Sequence, residues 1–277
     1  MILDAFNLSG KVAIVTGCDT GLGQGMALGL AQAGCDIVSV NRRIPEETAA
    51  GVKALGRRFM AIQADLSKQD GINDIVKQVV AGMGRVDILV NNAGTIRRED
   101  ALTFTEKDWD DVMNLNLKSV FFLSQAVARQ FIAQGQGGKI INIASMLSFQ
   151  GGHPRSFVYR IESGVLGITR LLANEWAQHG INVNAIAPGY MATNNTQQLR
   201  DDEQRSKEIL DRIPAGRWGK PEDLQGPAVF LASSASDYVT AIPSPSMEAG
   251  SHVNRFVTKS YTVTTSVYCI KSLYWMH

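Results

Sequence analysis

Residues 12–23 read VAIVTGCDTGLG, and this stretch decides the fold. Val12-Ala13-Ile14-Val15 is an unbroken apolar run, the pattern of a parallel strand buried on both faces. Thr16-Gly17-Cys18-Asp19-Thr20-Gly21-Leu22-Gly23 follows at once and opens a helical pattern over 23–33 that stops near Gly34. Glycines at such a turn allow a tight bend and let the backbone approach a pyrophosphate, while the helix start offers free N–H groups and a favourable dipole. A glycine motif alone is weak evidence; the strand before it and the helix after it give it weight. Gly17, Asp19, Thr20, Gly21, Leu22 and Gly23 are therefore candidate dinucleotide-binding residues.

The same rhythm continues outward. Strands are predicted at 36–40, 59–64, 86–90, 139–143 and 181–186, and helices at 48–55, 72–80, 109–115, 120–132 and 165–177. Strands alternating with helices imply βαβ units: an α/β fold with a doubly wound, three-layer parallel sheet of the Rossmann type. The second strand runs into Asn41-Arg42-Arg43. An acidic residue there would accept hydrogen bonds from the adenine ribose and favour NAD, whereas an arginine could meet a 2′-phosphate or simply be solvated.

Composition limits the remaining classes. With 45% hydrophobic residues over 277, the chain can build one core, and its net charge of +1 without a basic tract argues against nucleic-acid and membrane partners. Cys18, Cys35 and Cys269 are odd in number and widely spaced, which fits a reducing cytoplasm. No secretory leader and no apolar run of about 18 residues is read. The histidines, at 153, 179, 252 and 277, do not suggest a metal site.

Several ordered motifs over 5–239 resemble the short-chain dehydrogenase/reductase family: TGxxxGxG at 16–23, Asp65-Leu66, Asn92-Ala93-Gly94, Asn116 opening NLKSVF, Ser145 ending INIAS, and Pro188-Gly189 with Thr193 beyond. The resemblance implies that Asp65 and Leu66 lie at the adenine, that Asn41, Asn92, Ala93, Gly94, Pro188, Gly189 and Thr193 also surround the dinucleotide, and that Ser145 orients a substrate oxygen while Asn116 supports a proton relay. The stretches IRREDAL, ASMLSFQGG and APGYMATNNTQQLR are similar to the branch acting on deoxy sugar acids of the 2-dehydro-3-deoxy-D-gluconate type. That branch implies a small sugar-acid substrate, a role in uronate and pectin breakdown, NAD in preference to NADP without excluding the latter, a cytoplasmic location, and a homotetramer built on the helices of 107–134 and 158–178.

One part of the family pattern is missing. The resemblance calls for a tyrosine as general acid/base about thirteen residues after Ser145, and a lysine four residues later that lowers its pKa and holds the nicotinamide ribose. This chain has Val158 and Glu162 there. Tyr159 is turned by about 100° on the helix and is a poor substitute. Little or no turnover is expected of the chain as written, which leaves a non-catalytic dinucleotide-binding protein as the rival reading.

The genetic code supplies a cause. Read one base later, the codons of HPRSFVYRIE (153–162) permit IRVPSYTASK, restoring a tyrosine at 158 and a lysine at 162. The opposite shift from Thr240 permits NGYTIAVDGGWLAR, followed by a stop at Asn254. Accordingly, 1–239 is read as the dinucleotide-binding and catalytic domain and 240–277 as a frame-shifted tail. The prolines of TAIPSPSM lead to the expectation of a lost seventh strand, a six-stranded sheet with an exposed edge, and a poorly ordered tail. Arg97 or Arg98 could meet a sugar-acid carboxylate, or form a solvated loop. Arg217-Trp218-Gly219 is expected to pack against or cap the next helix.

Overall fold

The computed structural model of the chain describes residues 1–97, 99–149, 158–241 and 243–245, with the backbone alone for 158–161 and 243–245. Its centre is a parallel sheet of β1 (Val12–Thr16), β2 (Asp36–Asn41), β3 (Phe59–Gln63), β4 (Ile88–Asn91), β5 (Gly138–Ile143), β6 (Ile181–Ala187) and β7 (Pro243–Pro245). The spatial order is β3-β2-β1-β4-β5-β6-β7. The order reverses between β1 and β4, which opens a crevice beyond the carboxyl ends of those strands.

Nine α-helices are described: α1 (Gly21–Gln32), α2 (Glu46–Ala54), α3 (Ile72–Met83), α4 (Glu106–Met113), α5 (Ser119–Gln134), α6 (Val158–Trp176), α7 (Gln197–Asp201), α8 (Glu203–Leu210) and α9 (Gln225–Ala232). They cover both faces of the sheet. On β1, Val12 and Ile14 enter one buried apolar cluster with Val79, Phe131 and Leu172, while Ala13 and Val15 enter the other with Met26, Leu30 and Leu231. Burial of each large apolar side chain stabilises by about 1.5–3 kcal/mol, so a strand apolar at every position is the signature of a sheet covered twice. Among the described residues no helix is long and apolar enough to cross a membrane.

The expected six-stranded sheet is corrected by the structure. Pro243–Pro245 pair in parallel with Ala185–Ala187 as a seventh, edge strand. Proline is tolerated at a sheet edge, and here the two prolines are two residues apart, so the intervening Ser244 keeps its N–H. The strand is entered through Ala241, whose N–H donates to the carbonyl of Val183 (2.9 Å). Ala241 has φ +62°, the left-handed region that costs a non-glycine residue about 1–2 kcal/mol. The tail beyond 245 lies outside the described residues.

Candidate active site

The turn between β1 and α1 is held from three sides. Thr16 Oγ1 accepts from the backbone N–H groups of Asn92 and Ala93 (both 2.9 Å). The Asn92 amide donates to the carbonyls of Thr16 (3.0 Å) and Gly17 (2.8 Å). Asn41 Oδ1 accepts from the Cys18 N–H (3.1 Å), and the Thr48 hydroxyl donates to the Cys18 carbonyl (2.6 Å). The ends of β4 and β2 and the start of α2 thus set the turn before any ligand arrives. Burial pushes the Cys18 thiol up to about 12, so it packs rather than reacts.

The turn fits a dinucleotide phosphate. Gly17 has φ +63°, and a Cβ on Gly23 would stand 2.3 Å from the Gly17 carbonyl oxygen and 2.4 Å from the Asn92 amide nitrogen. The N-cap residue of α1, Thr20, makes no side-chain capping bond to the first N–H groups of the helix. The side-chain nitrogen of Asn41 is buried without a hydrogen-bond partner among the described residues.

A cavity of about 560 Å³ starts at this turn and runs along the carboxyl ends of the strands. It is lined by Gly17, Asp19, Thr20, Gly21, Leu22, Gly23, Asn41, Asp65, Leu66, Asn92, Ala93, Gly94, Asn116, Ser145, Glu162, Pro188, Gly189 and Thr193, the residues proposed from sequence. Of the named positions only the Val158 side chain lies outside the described atoms. Arg42 and Arg43 line the end beside Asp65, whose carboxyl is held below the usual range chiefly by the Ser67 hydroxyl (2.7 Å).

At the opposite end stand Asn116, Ser145 and Glu162. Asn116 lies in a π-helical turn, Asn114–Lys118, between α4 and α5, the kind of helix irregularity common at functional sites. Its side chain accepts from the Thr95 N–H (2.9 Å) and donates to the Thr95 carbonyl (3.0 Å). Ser145 begins a short helical turn after β5, and its Oγ accepts from the Leu147 N–H (3.1 Å). Glu162, in the first turns of α6, lines the same end of the cavity with its Oε2 buried and without a hydrogen-bond partner among the described residues, and burial pushes its carboxyl up to about 7. A buried chain of amides and hydroxyls fixes α6: Asn91 to Asn142 (2.9 Å), Asn142 to Thr169 (2.9 Å), and Thr169 to the Val165 carbonyl (2.7 Å).

Comparisons with known proteins give the family. The family model for short chain dehydrogenases matches residues 11–204. This chain belongs to the short chain dehydrogenase family. The 2-dehydro-3-deoxy-D-gluconate 5-dehydrogenase of Escherichia coli K12 is 74% identical over 239 residues, covering 86% of this chain and 94% of that protein. The Bacillus subtilis enzyme of the same name is 51% identical over 237 residues, 85% of this chain and 92% of that protein. Among solved structures, a gluconate 5-dehydrogenase from Burkholderia cenocepacia in complex with NADP and tartrate superposes with a TM-score of 0.82, at 39% identity, covering 88% of this chain and 96% of that one.

The short chain dehydrogenase cavity also contains residues that the sequence reading missed. Tyr190, Met191, Asn194 and Leu199 close its far side. They sit on the loop after β6 and on α7, where apolar periodicity is too short to read. The carboxylate role weighed for Arg97 is not supported: it is ion-paired with Asp108 (3.2 Å) and Asp111 (3.2 Å), outside the cavity lining. Arg98 lies outside the described residues. Arg217 packs against the next helical turn through two bonds to the Asp223 carboxylate (2.6 and 2.9 Å), which in turn accepts from the Lys220 N–H at that turn's start.

Proposed function

We propose that this protein is an oxidoreductase that moves a hydride between a nicotinamide dinucleotide and a hydroxyl or carbonyl carbon of a deoxy sugar acid of the 2-dehydro-3-deoxy-D-gluconate type. The observation that carries this reading is one cavity joining a glycine turn built for a pyrophosphate to Ser145 and Asn116. The 74% identity to an enzyme named for that substrate supports it. The bound dinucleotide supplies the hydride acceptor and donor. Gly17, Gly21, Leu22 and Gly23 hold its pyrophosphate; Asp65 and Leu66 face the adenine; Asn92, Ala93, Gly94, Pro188, Gly189 and Thr193 line its path; Ser145 orients the substrate oxygen. A cytoplasmic homotetramer active in sugar-acid catabolism completes the reading by family resemblance.

The dinucleotide is NAD by resemblance, and NADP is accepted as well. No carboxylate stands at the tip of β2 to repel a 2′-phosphate, and Arg42 and Arg43 provide opposite charge there. Fluorescence titration with NADH and NADPH, beside turnover of 2-dehydro-3-deoxy-D-gluconate, tests the whole reading. Saturable binding is expected, with turnover held low by Val158 and Glu162 at the family's tyrosine and lysine positions. Absence of affinity for both coenzymes overturns it. Binding without turnover favours the rival reading of a non-catalytic binder, for which Val158 and Glu162 are the specific observation.

The two departures from the family pattern, at 153–162 and from 240, are proposed to be frame-shifted segments of the coding sequence. An alignment that covers 86% of this chain and 94% of the Escherichia coli enzyme supports a departure confined to part of the chain. Ala241 adds a structural reason: the alternate frame places glycine at this position, where the backbone has φ +62°. Resequencing the coding DNA decides, because codons at 158–159 and 162–163 that cannot yield TAT and AAA in the alternate frame refute the proposal.

A further inference from the structure

Four buried polar side chains run as one line of hydrogen bonds across the sheet. Asn91, at the carboxyl end of β4, donates through Nδ2 to Ser124 Oγ on α5 (3.0 Å) and to Asn142 Oδ1 on β5 (2.9 Å). Asn142 Nδ2 donates to Thr169 Oγ1 on α6 (2.9 Å), and the Thr169 hydroxyl donates to the Val165 carbonyl (2.7 Å). Ser124 and Asn142 are fully buried, and Asn91 and Thr169 nearly so. Replacing such partners together by apolar groups of the same shape is often nearly neutral in stability. What the hydrogen bonds add is direction, because they hold only near one distance and angle, whereas apolar side chains slide past one another.

That direction bears on the substrate end of the cavity. At 3.6 residues per turn, positions 158, 162, 165 and 169 of α6 fall within about 60° of one another, on one face of the helix. Along this face Val165 enters a buried cluster with Ala144 and Ala185, and Glu162 and Val165 line the cavity. Thr169 is the next position on it, about 10 Å along the axis from 162. On the strand side, Asn142 lies in β5, three residues before Ser145. The bond from Asn142 to Thr169 therefore joins the strand end that carries Ser145 to the helix face that carries 158 and 162.

We propose that Asn142 is a positioning residue that fixes the rotation of α6 about its axis, and so holds positions 158 and 162 toward Ser145. The inference rests on the dehydrogenase reading above. Asn142 acts through the helix, since it is not among the residues lining the cavity. The coenzyme end does not depend on it. The glycine turn is held by Thr16, Asn92, Asn41 and Thr48, and Asn91 keeps its own bond to Ser124. The device is also indifferent to which side chains stand at 158 and 162, so it persists in a chain that has valine and glutamate there.

The test compares two full-length backgrounds, the unsubstituted chain and Val158→Tyr with Glu162→Lys, each with and without Asn142→Leu. In the unsubstituted chain Asn142→Leu is expected to leave NADH affinity within about twofold. In the restored background it is expected to lower kcat on 2-dehydro-3-deoxy-D-gluconate by about 10²-fold with KM for that acid little changed, the cost of reacting groups misplaced by about 1 Å. Thr169→Val, which removes the hydroxyl at nearly constant shape, is expected to do the same, and Thr169→Ser, which keeps the hydroxyl, to retain kcat. If the bond served stability alone, kcat would follow the melting temperature, and Thr169→Ser, which loses a buried methyl, would be the worse of the pair. Should Asn142→Leu misfold and lose NADH affinity in the unsubstituted chain, the two Thr169 variants decide. Unchanged kcat in Asn142→Leu or Thr169→Val, Thr169→Ser no better than Thr169→Val, or no gain in kcat from restoring 158 and 162 each overturns this inference alone. Failure of the unsubstituted chain to bind NADH or NADPH overturns the dehydrogenase reading, and this inference with it.

Discussion

The turn between β1 and α1 and the first turns of α6 lie at opposite ends of one cavity, and they have fared differently. At the first, every residue of the family pattern is present and locked by Asn92, Asn41 and Thr48. At the second, the scaffold persists, through the Asn91–Asn142–Thr169 chain, while the chemistry-bearing positions hold Val158 and Glu162. The difference teaches that binding and proton transfer are separately encoded. The backbone path of a helix is set by what it packs on, whereas its reactivity depends on a few side chains that packing does not constrain.

The largest effect is expected from erasing the difference. The double substitution Val158→Tyr with Glu162→Lys restores the family pair, and kcat is expected to rise by about 10²–10⁴-fold, the usual worth of a positioned acid/base. Steady-state kinetics check the gain, with NADH affinity expected to rise too because the family lysine holds the nicotinamide ribose; no gain in kcat would mean that α6 is misplaced as well.

Next comes a stability signature of the altered end. Glu162 has an ordinary carboxyl value of 4.5 unfolded and about 7 folded. Below 4.5 both states hold the proton; from 4.5 to about 7 the unfolded chain ionises first, so stability falls as pH rises, by about 3 kcal/mol in all. Urea denaturation across this range should show the loss, and Glu162→Gln should abolish it. A slope that survives the substitution breaks the assignment.

At the intact end, Gly23→Ala should weaken NADH binding by about tenfold or more, because its Cβ has no room between Gly17 and Asn92. Titration that finds normal affinity would show that the turn is softer than its hydrogen bonds imply. The smallest effect concerns the other departure from the family pattern. Ala241→Gly should stabilise the protein by about 1 kcal/mol by relieving a left-handed backbone. A destabilising result in thermal melts would remove the structural support for a glycine at 241 in the alternate frame.

Legibility followed the same physics. The five inner strands, β1, β2, β4, β5 and β6, could be read because they are largely apolar runs covered on both faces of the sheet. Helix ends moved by a few residues: the predicted 165–177 helix begins at Val158, since the segment around it breaks the apolar pattern. α7, α8 and α9 were not read at all; α7 and α8 are short and largely exposed, and α9 is too brief for a clear period. The seventh strand was missed because prolines argue against a strand in general, while an edge position with an intervening Ser244 tolerates them.

By itself, the order of residues determined the βαβ winding, the glycine turn, the family, and part of the cavity's lining. These are local matters of period, backbone freedom and spacing. Only the three-dimensional arrangement decided that Arg97 is spent on Asp108 and Asp111, that Tyr190 and Asn194 face the cavity, and that Glu162 lines the same cavity as Ser145. Those outcomes depend on which groups, distant along the chain, share a dry space, because desolvation and partner distance set charge and hydrogen bonding there, and neither can be read from neighbours in sequence.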